Sequence, residues 1–277
     1  MATRVAYTTR PMPETPGERI RFDHIALGAT RLADAPSFLV GVLGGVPDSG
    51  GPSAGFRWAT WRYAGGGSLE VIEPHGADGF LHRFLARRGP GVHHVTFLVP
   101  SLAAACARAE AEGYEIVGRD ESDSGWMTAF LHPKQALGIV VQLAQSAGRE
   151  GGRPWEVPPG PPHAPPAVRV VGLRLRARDR DRTRVQWATI LGGEEPRDGA
   201  KDVGLVFRWP GSPMRIAVDL DPVSEAGPVA IEIAADRPLA LPSAEAPGLG
   251  AVFRQVAAGI DRAGTLAGEV PAEGGAR

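Results

Sequence analysis

The chain has 277 residues, 43% of them hydrophobic, which is room for two ordinary domains or one large one around a real core. Its formal net charge of −1 favours neither nucleic acid nor a membrane surface as a partner, and its single cysteine, Cys106, excludes an internal disulfide framework and any multi-cysteine zinc site. No apolar run reaches the length of a membrane-spanning helix, and residues 1–20 lack the apolar centre of a secretory signal, so a cytoplasmic protein with a loose N-terminal tail is expected.

Residues 21–75 read as a strand (Ile20–Gly28), a helix (Leu32–Leu43) stopped by Gly44-Gly45, and two strands (Phe56–Tyr63 and Ser68–Ile72). Gly65-Gly-Gly67 lies between those strands and reads as a hairpin turn rather than a phosphate loop, which would need a helix after it. Asp78–Arg88 is a short amphipathic connecting helix ended by Gly89-Pro-Gly91. Residues 92–145 repeat the order: strand Val92–Val99, helix Leu102–Glu112, then strands Tyr114–Val117, Met127–Leu131 and Gly138–Ala144. Residues 146–167 are rich in proline and glycine and read as a linker. Beyond it, Val170–Leu175 aligns without gaps to Phe22–Leu27, and the register carries through to Ile190-Leu-Gly-Gly193 against Val42-Leu-Gly-Gly45. Strands Phe207–Pro210, Arg215–Leu220 and Val229–Ile233 and a helix over Leu249–Ala263 follow. The expected organisation is a tail (1–20), a paired unit (21–145), the linker (146–167), a degenerate third module (168–264) and a C-terminal tail (265–277).

The chemistry is written in a repeat. His24 is followed 46 residues on by Glu70, and His94 is followed 48 residues on by Gln142, each on a strand-like segment in apolar surroundings. Side chains alternate faces along a strand. His24 opposes Ile25 and Leu27, Glu70 opposes Leu69 and Val71, His94 opposes Val95 and Phe97, and Gln142 opposes Val141 and Leu143. If helices cover the apolar faces of a curved sheet, all four point to its inside. The same parity selects His94 over His93. Two imidazoles, a carboxylate and an amide oxygen suit one divalent ion, Co, Ni, Zn, Mn or Fe, with positions left open for water or a substrate oxygen. In the third module Gly172 stands where His24 should be, and Asp219 lies near the place of the second ligand. Trp58 and Trp61 point to opposite faces, one toward the core and the other toward the cup. The run Arg176–Arg184 reads as a solvated helix start, and His132 as part of a turn.

Four motifs carry a family resemblance: Phe22-Asp-His-Ile-Ala26, Leu69-Glu-Val-Ile-Glu-Pro74, Arg88-Gly-Pro-Gly-Val-His-His-Val-Thr-Phe97, and Phe130-Leu-His-Pro-Lys134 running on to Gly138-Ile-Val-Val-Gln-Leu143. Through them residues 21–145 resemble the vicinal oxygen chelate superfamily of glyoxalase I, bleomycin-resistance proteins and extradiol dioxygenases, and within it the methylmalonyl-CoA epimerases and their glyoxalase-like relatives. The resemblance implies an α+β fold of repeated βαβββ modules forming a cupped mixed sheet with helices outside, and a divalent metal at its centre. Carried over by position, the ligands are His24, Glu70, His94 and Gln142. Gln142 stands where the epimerases usually have glutamate; a neutral amide ligates but is a poor base. Where they carry a further proton-transfer carboxylate, the segment Val46–Ser53 offers only Asp48.

The resemblance thus implies a metal-dependent isomerase, epimerase or lyase that stabilises an enolate or enediolate of a small carbonyl or acyl-thioester substrate, with Glu70 as both ligand and base. Two alternatives stand beside it: an iron-dependent extradiol-type dioxygenase built on His24, His94 and Glu70, and a bleomycin-resistance-type protein that binds a small molecule without metal chemistry. An odd module leaves a sheet edge to cover, so a homodimer is expected.

Overall fold

The structure is a computed structural model and describes residues 19–147, 157–196 and 204–257. The first run of elements is β1 (Arg21–Gly28), α1 (Pro36–Leu39), β2 (Val46–Ser53), β3 (Phe56–Arg62) and β4 (Ser68–Pro74). The connecting helix α2 (Phe80–Arg88) leads to the second run: β5 (Gly91–Leu98), α3 (Leu102–Ala111), β6 (Ile116–Asp120), β7 (Trp126–Leu131) and β8 (Val140–Ser146). Ser101 caps α3 by accepting from the Ala104 amide, which satisfies one of the free donors at the helix start.

These eight strands form one sheet in the order β2-β3-β4-β1-β5-β8-β7-β6. β1 runs parallel to β4, β5 runs parallel to β8, and β1 and β5 meet antiparallel in the middle. The two runs are therefore related by an approximate two-fold axis between β1 and β5. One face carries buried Ile25, Leu27, Val71, Val95, Phe97 and Val141 and packs on α1 and α3. The opposite face is the inside of the cup.

Two expectations are corrected here, and one strand that the sequence did not signal is added. The helix expected over Leu32–Leu43 is only a 3-10 turn at Leu32–Asp34 and the single turn α1; beyond it the Leu43 amide bonds back to Phe38 rather than to the residue four before it. The segment Val46–Ser53 is a strand, β2, although it contains two prolines and two glycines. It pairs with β3 alone, and an edge strand tolerates missing amide donors. The helix expected over Leu249–Ala263 is instead a turn followed by β13 (Phe253–Gln255), with residues 258–263 outside the described part of the chain.

The second sheet holds β9 (Arg169–Ala177), β10 (Leu205–Arg208), β11 (Arg215–Leu220), β12 (Gly227–Ala234) and β13, in the order β10-β11-β9-β12-β13. β9 is followed by α4 (Arg180–Arg184), capped by Asp179 and continued by a π-helical stretch over Val185–Ile190. β9 and β11 are parallel as β1 and β4 are. β12 lies antiparallel to β9 as β5 does to β1, and β13 runs parallel to β12 as β8 does to β5. The third module is thus not odd: it pairs within the chain with the two central strands of a fourth.

The sheets join through one apolar core. Phe22 and Phe97 stack at 4.9 Å, and Trp209 meets them at 5.8 and 4.7 Å. The polar contacts across the junction are reciprocal. The turn before β4 donates from the Ala64 amide to Val168 O, just ahead of β9. The turn before β11 donates from Ser212 Oγ to Phe22 O on β1. Gly138, ahead of β8, abuts Ala226 ahead of β12, and Gly250, ahead of β13, abuts Pro90 ahead of β5, so closely that an added Cβ would lie 2.1 and 2.0 Å from the facing carbonyl oxygens. Such an exchange of equivalent patches is the hallmark of a two-fold interface. The residues at 157–167, the described half of the expected linker, lie against the first run: an added Cβ on Gly41 or Gly160 would meet Pro161 or Val40.

Candidate metal centre

The two central strands pair with two irregularities. Between Phe22 and His24, β1 advances two residues while β5 advances one, so Asp23 is a bulge. Between Val92 and His94 the reverse holds, and His93 is a bulge on β5. A bulge re-aims the side chains beside it. Phe22 turns to the core, where it stacks on Phe97, and Asp23 stays beside His24, whose Nδ1 donates to Asp23 Oδ2 at 2.9 Å. His93 is not on the Val95/Phe97 face that simple alternation gives it. Its ring lies 5.4 Å from Phe80 and 4.8 Å from Phe84 on α2, and its Nδ1 is 2.9 Å from Nδ1 of His94. The residue before each central histidine thus engages its Nδ1 and leaves Nε2 to point inward.

Those Nε2 atoms converge on Glu70. Glu70 Oε2 is 3.5 Å from His24 Nε2 and 3.6 Å from His94 Nε2, and the ligand atoms of the three residues all lie within 4.8 Å of one another. His24 and His94 are 6% exposed and Glu70 9%. Nitrogen and oxygen ligands about 2.1 Å from an ion are separated by about 3.0–3.5 Å, so three donors at these spacings fit one divalent cation with little movement. The set of two imidazoles and a carboxylate is of the right chemistry.

The fourth expected residue stands at the edge of this cluster. Gln142 pairs across β5–β8 with Thr96, whose hydroxyl donates to Gln142 Oε1 at 2.6 Å and also lies 2.9 Å from His24 Nε2. Thr96 has no exposed surface, and in the sequence a hydroxyl among apolar residues does not stand out from an ordinary strand. Its parity with His94, two residues on along the strand, was the available signal. Asp23 was missed because a bulge leaves no mark in the apolar pattern.

Electrostatics divides the histidines. Burial works against a charge on His24, but the carboxylates of Glu70 and Asp23 outweigh it and lift the pKa to about 10. His94 is held well below the ordinary value by burial, then by the neighbouring His93 and His24. The cluster lies at the floor of an open groove of about 2600 Å³ whose walls include Phe56, Trp58, Phe80, Trp126 and Phe130. Trp58 faces this groove and Trp61 is fully buried, as their spacing predicts. Asp48 also lines the groove, with its carboxylate held by Arg62 at 2.8 Å.

Among the described residues the second sheet offers no counterpart. Register equates Glu70 with Ala217, not Asp219. Asp219 accepts instead from Arg174 at 2.6 Å.

Comparison with known proteins agrees with the geometry. The sequence profile of the Glyoxalase/Bleomycin resistance protein/Dioxygenase superfamily matches residues 23–130. YqjC of Bacillus subtilis, an uncharacterised protein, is 31% identical over 46% of this chain and 94% of its own length. The mitochondrial methylmalonyl-CoA epimerase of Mus musculus is 30% identical over 46% of this chain and 73% of its own. A crystal structure of a hypothetical protein from Staphylococcus aureus, at 12% identity, covers 86% of this chain and 99% of its own with a TM-score of 0.59, so both sheets have a counterpart in a solved fold. The chain belongs to the glyoxalase/bleomycin resistance protein/dioxygenase superfamily.

Proposed function

We propose that the cup of the first sheet is the active site of a metal-dependent isomerase of the epimerase type, acting on a carbon acid next to a carbonyl or thioester. The observation that carries this reading is the meeting of His24 Nε2, His94 Nε2 and Glu70 Oε2 at ion-ligand spacings on the floor of an open groove. A divalent ion held by these atoms and by Gln142 would supply Lewis acidity to the substrate carbonyl oxygen.

The protein's own groups supply the rest. Asp23 and His93 fix the two imidazoles through Nδ1, which keeps Nε2 as the ligand atom. Glu70 offers Oε2 to both histidines, and no hydrogen bond from a described side chain engages its Oε1, which is the atom placed to take a proton from one face of the substrate carbon; inversion needs a second group on the other face, for which Asp48 on the groove wall is the candidate. The aromatic side chains on the groove walls would accept an apolar substituent of the substrate. The name of the mouse relative makes methylmalonyl-CoA the first substrate to try.

The test has two arms. Elemental analysis of protein purified without tag or chelator should find one divalent ion per chain, lost in His94→Ala. Incubation with methylmalonyl-CoA in heavy water should exchange the proton at C2 in the wild type and not in Glu70→Gln. A protein that takes up no ion, or exchange that persists without Glu70, would overturn the reading.

A further inference from the structure

Thr96 sits at the one point where the approximate symmetry of the cup breaks. The axis that relates His24 to His94 and Glu70 to Gln142 relates Ala26 on β1 to Thr96 on β5. Ala26 pairs with His94 on one side and Glu70 on the other; Thr96 pairs with His24 and Gln142 in the same way. The half of the site with the charged carboxylate has a methyl group on its floor. The half with the neutral amide has a hydroxyl.

A hydroxyl has one proton to give. Here it goes to Gln142 Oε1 at 2.6 Å, while the oxygen faces His24 Nε2 at 2.9 Å. A carboxylate needs no such partner to present an oxygen to a cation, because both of its ends are oxygens and both carry charge. An amide has one ligating end and one NH2 end, and a rotation of half a turn exchanges them. Once His24 Nε2 serves as a ligand its lone pair is taken, so the hydroxyl's proton is left for Gln142, and only the oxygen end of the amide can accept it.

We propose that Thr96 is a positioning residue that makes glutamine serviceable as the fourth ligand: its hydroxyl selects the amide rotamer with Oε1 on the floor of the cup. The idea rests on the metal reading above and concerns this chain's own departure at Gln142. Acting through Gln142 rather than on the ion, Thr96 has a distinct signature in a double-mutant cycle.

The probe is Co²⁺ added to the full-length protein, read by titration calorimetry and by the visible absorption of the bound ion. Thr96→Val, which keeps the shape and removes the hydroxyl, should weaken Co²⁺ binding about 10-fold, the lower end of what loss of a supporting hydrogen bond costs a metal ligand. It should also shift the absorption as Gln142→Ala does. Thr96→Ser should bind like the wild type. Thr96→Val combined with Gln142→Ala should bind no more weakly than Gln142→Ala alone. If Thr96→Val does not fold, Thr96→Ala against Thr96→Ser carries the same contrast. Equal affinity of the hydroxyl-free and wild-type proteins, or losses that add in the double variant, overturns the proposal while leaving the metal reading intact. A wild type that binds no Co²⁺ ends both.

Discussion

On β1 and β5 a bulge precedes each central histidine. On β9 and β12 the same two bulges recur, at Val171 and Val229, and are followed by Gly172 and Ala230. The remaining positions follow from the pairing: Ala217 stands for Glu70, Glu232 for Thr96, and Arg254 for Gln142. The backbone plan is the same down to its irregularities, and none of the four equivalent positions carries a chelating side chain. In their place Arg174 donates to Glu232 at 2.7 Å and to Asp219 at 2.6 Å, and Arg215 donates to Glu232 at 2.9 Å. Two guanidinium groups face two carboxylates, so the cluster is electrically closed and has no charge left to offer a cation. The fold of a module is therefore carried by its apolar face and its strand pairing, and the centre of the cup is free to change.

The largest expected effect comes from opening that closed cluster. Glu232 has no exposed surface and Arg215 is 6% exposed. Glu232→Ala would strand a buried guanidinium and should cost about 3–5 kcal/mol in urea unfolding. A loss under about 1 kcal/mol would mean that water reaches the pair and that the two cups differ less than they look. Burial opposes the charge on Glu232, but Arg215 and Arg174 outweigh it and hold the carboxyl below its ordinary 4.5. Because the folded value is the lower one, this contribution is present above pH 4.5 and is lost as pH falls through the folded value. Glu232→Gln should flatten that part of the acid-unfolding profile.

Gly172→His asks whether a ligand can be put back. Gly172 has φ +147°, and a Cβ there would lie 1.9 Å from Arg215 O. The variant should lose at least about 1–3 kcal/mol to backbone strain and should still bind a single ion per chain by elemental analysis. Two ions per chain would erase the contrast between the cups. Asp23→Asn sharpens it from the other side. Without the carboxylate that fixes His24, Co²⁺ affinity in calorimetry should fall about 10–100-fold. The smallest effect is expected at the rim. Arg88 and Glu225 pair at 3.5 Å across the two sheets, both exposed, so Arg88→Ala should change thermal stability by no more than about 1 kcal/mol. A larger loss would shift the junction from its aromatic core to its surface charges.

The site was more legible than the details of the fold. A repeated spacing pointed to His24, Glu70 and His94, and the structure brings those three together. The choice of His94 over His93 came from strict alternation, whereas a bulge is what sets His93 against α2. Thr96 was invisible because a hydroxyl among apolar residues reads as ordinary strand, and its partners come from strands distant in sequence. β2 was unreadable because its prolines and glycines argue against a strand until one knows it lies at an edge. The stretch around Phe253 has helix-like composition, and pairing with β12 overrides that local preference.

The reciprocal junction has an evolutionary corollary. A sheet whose described residues gather no metal-ligating cluster would ordinarily be dispensable, yet here each half is the other's shield. Deleting the second sheet would bare Phe22 and Phe97, which now rest on Trp209. The junction constrains Trp187 and Trp209, which pack with Phe97 in the shared core. The second half can thus be kept for its back alone, with nothing asked of its cup.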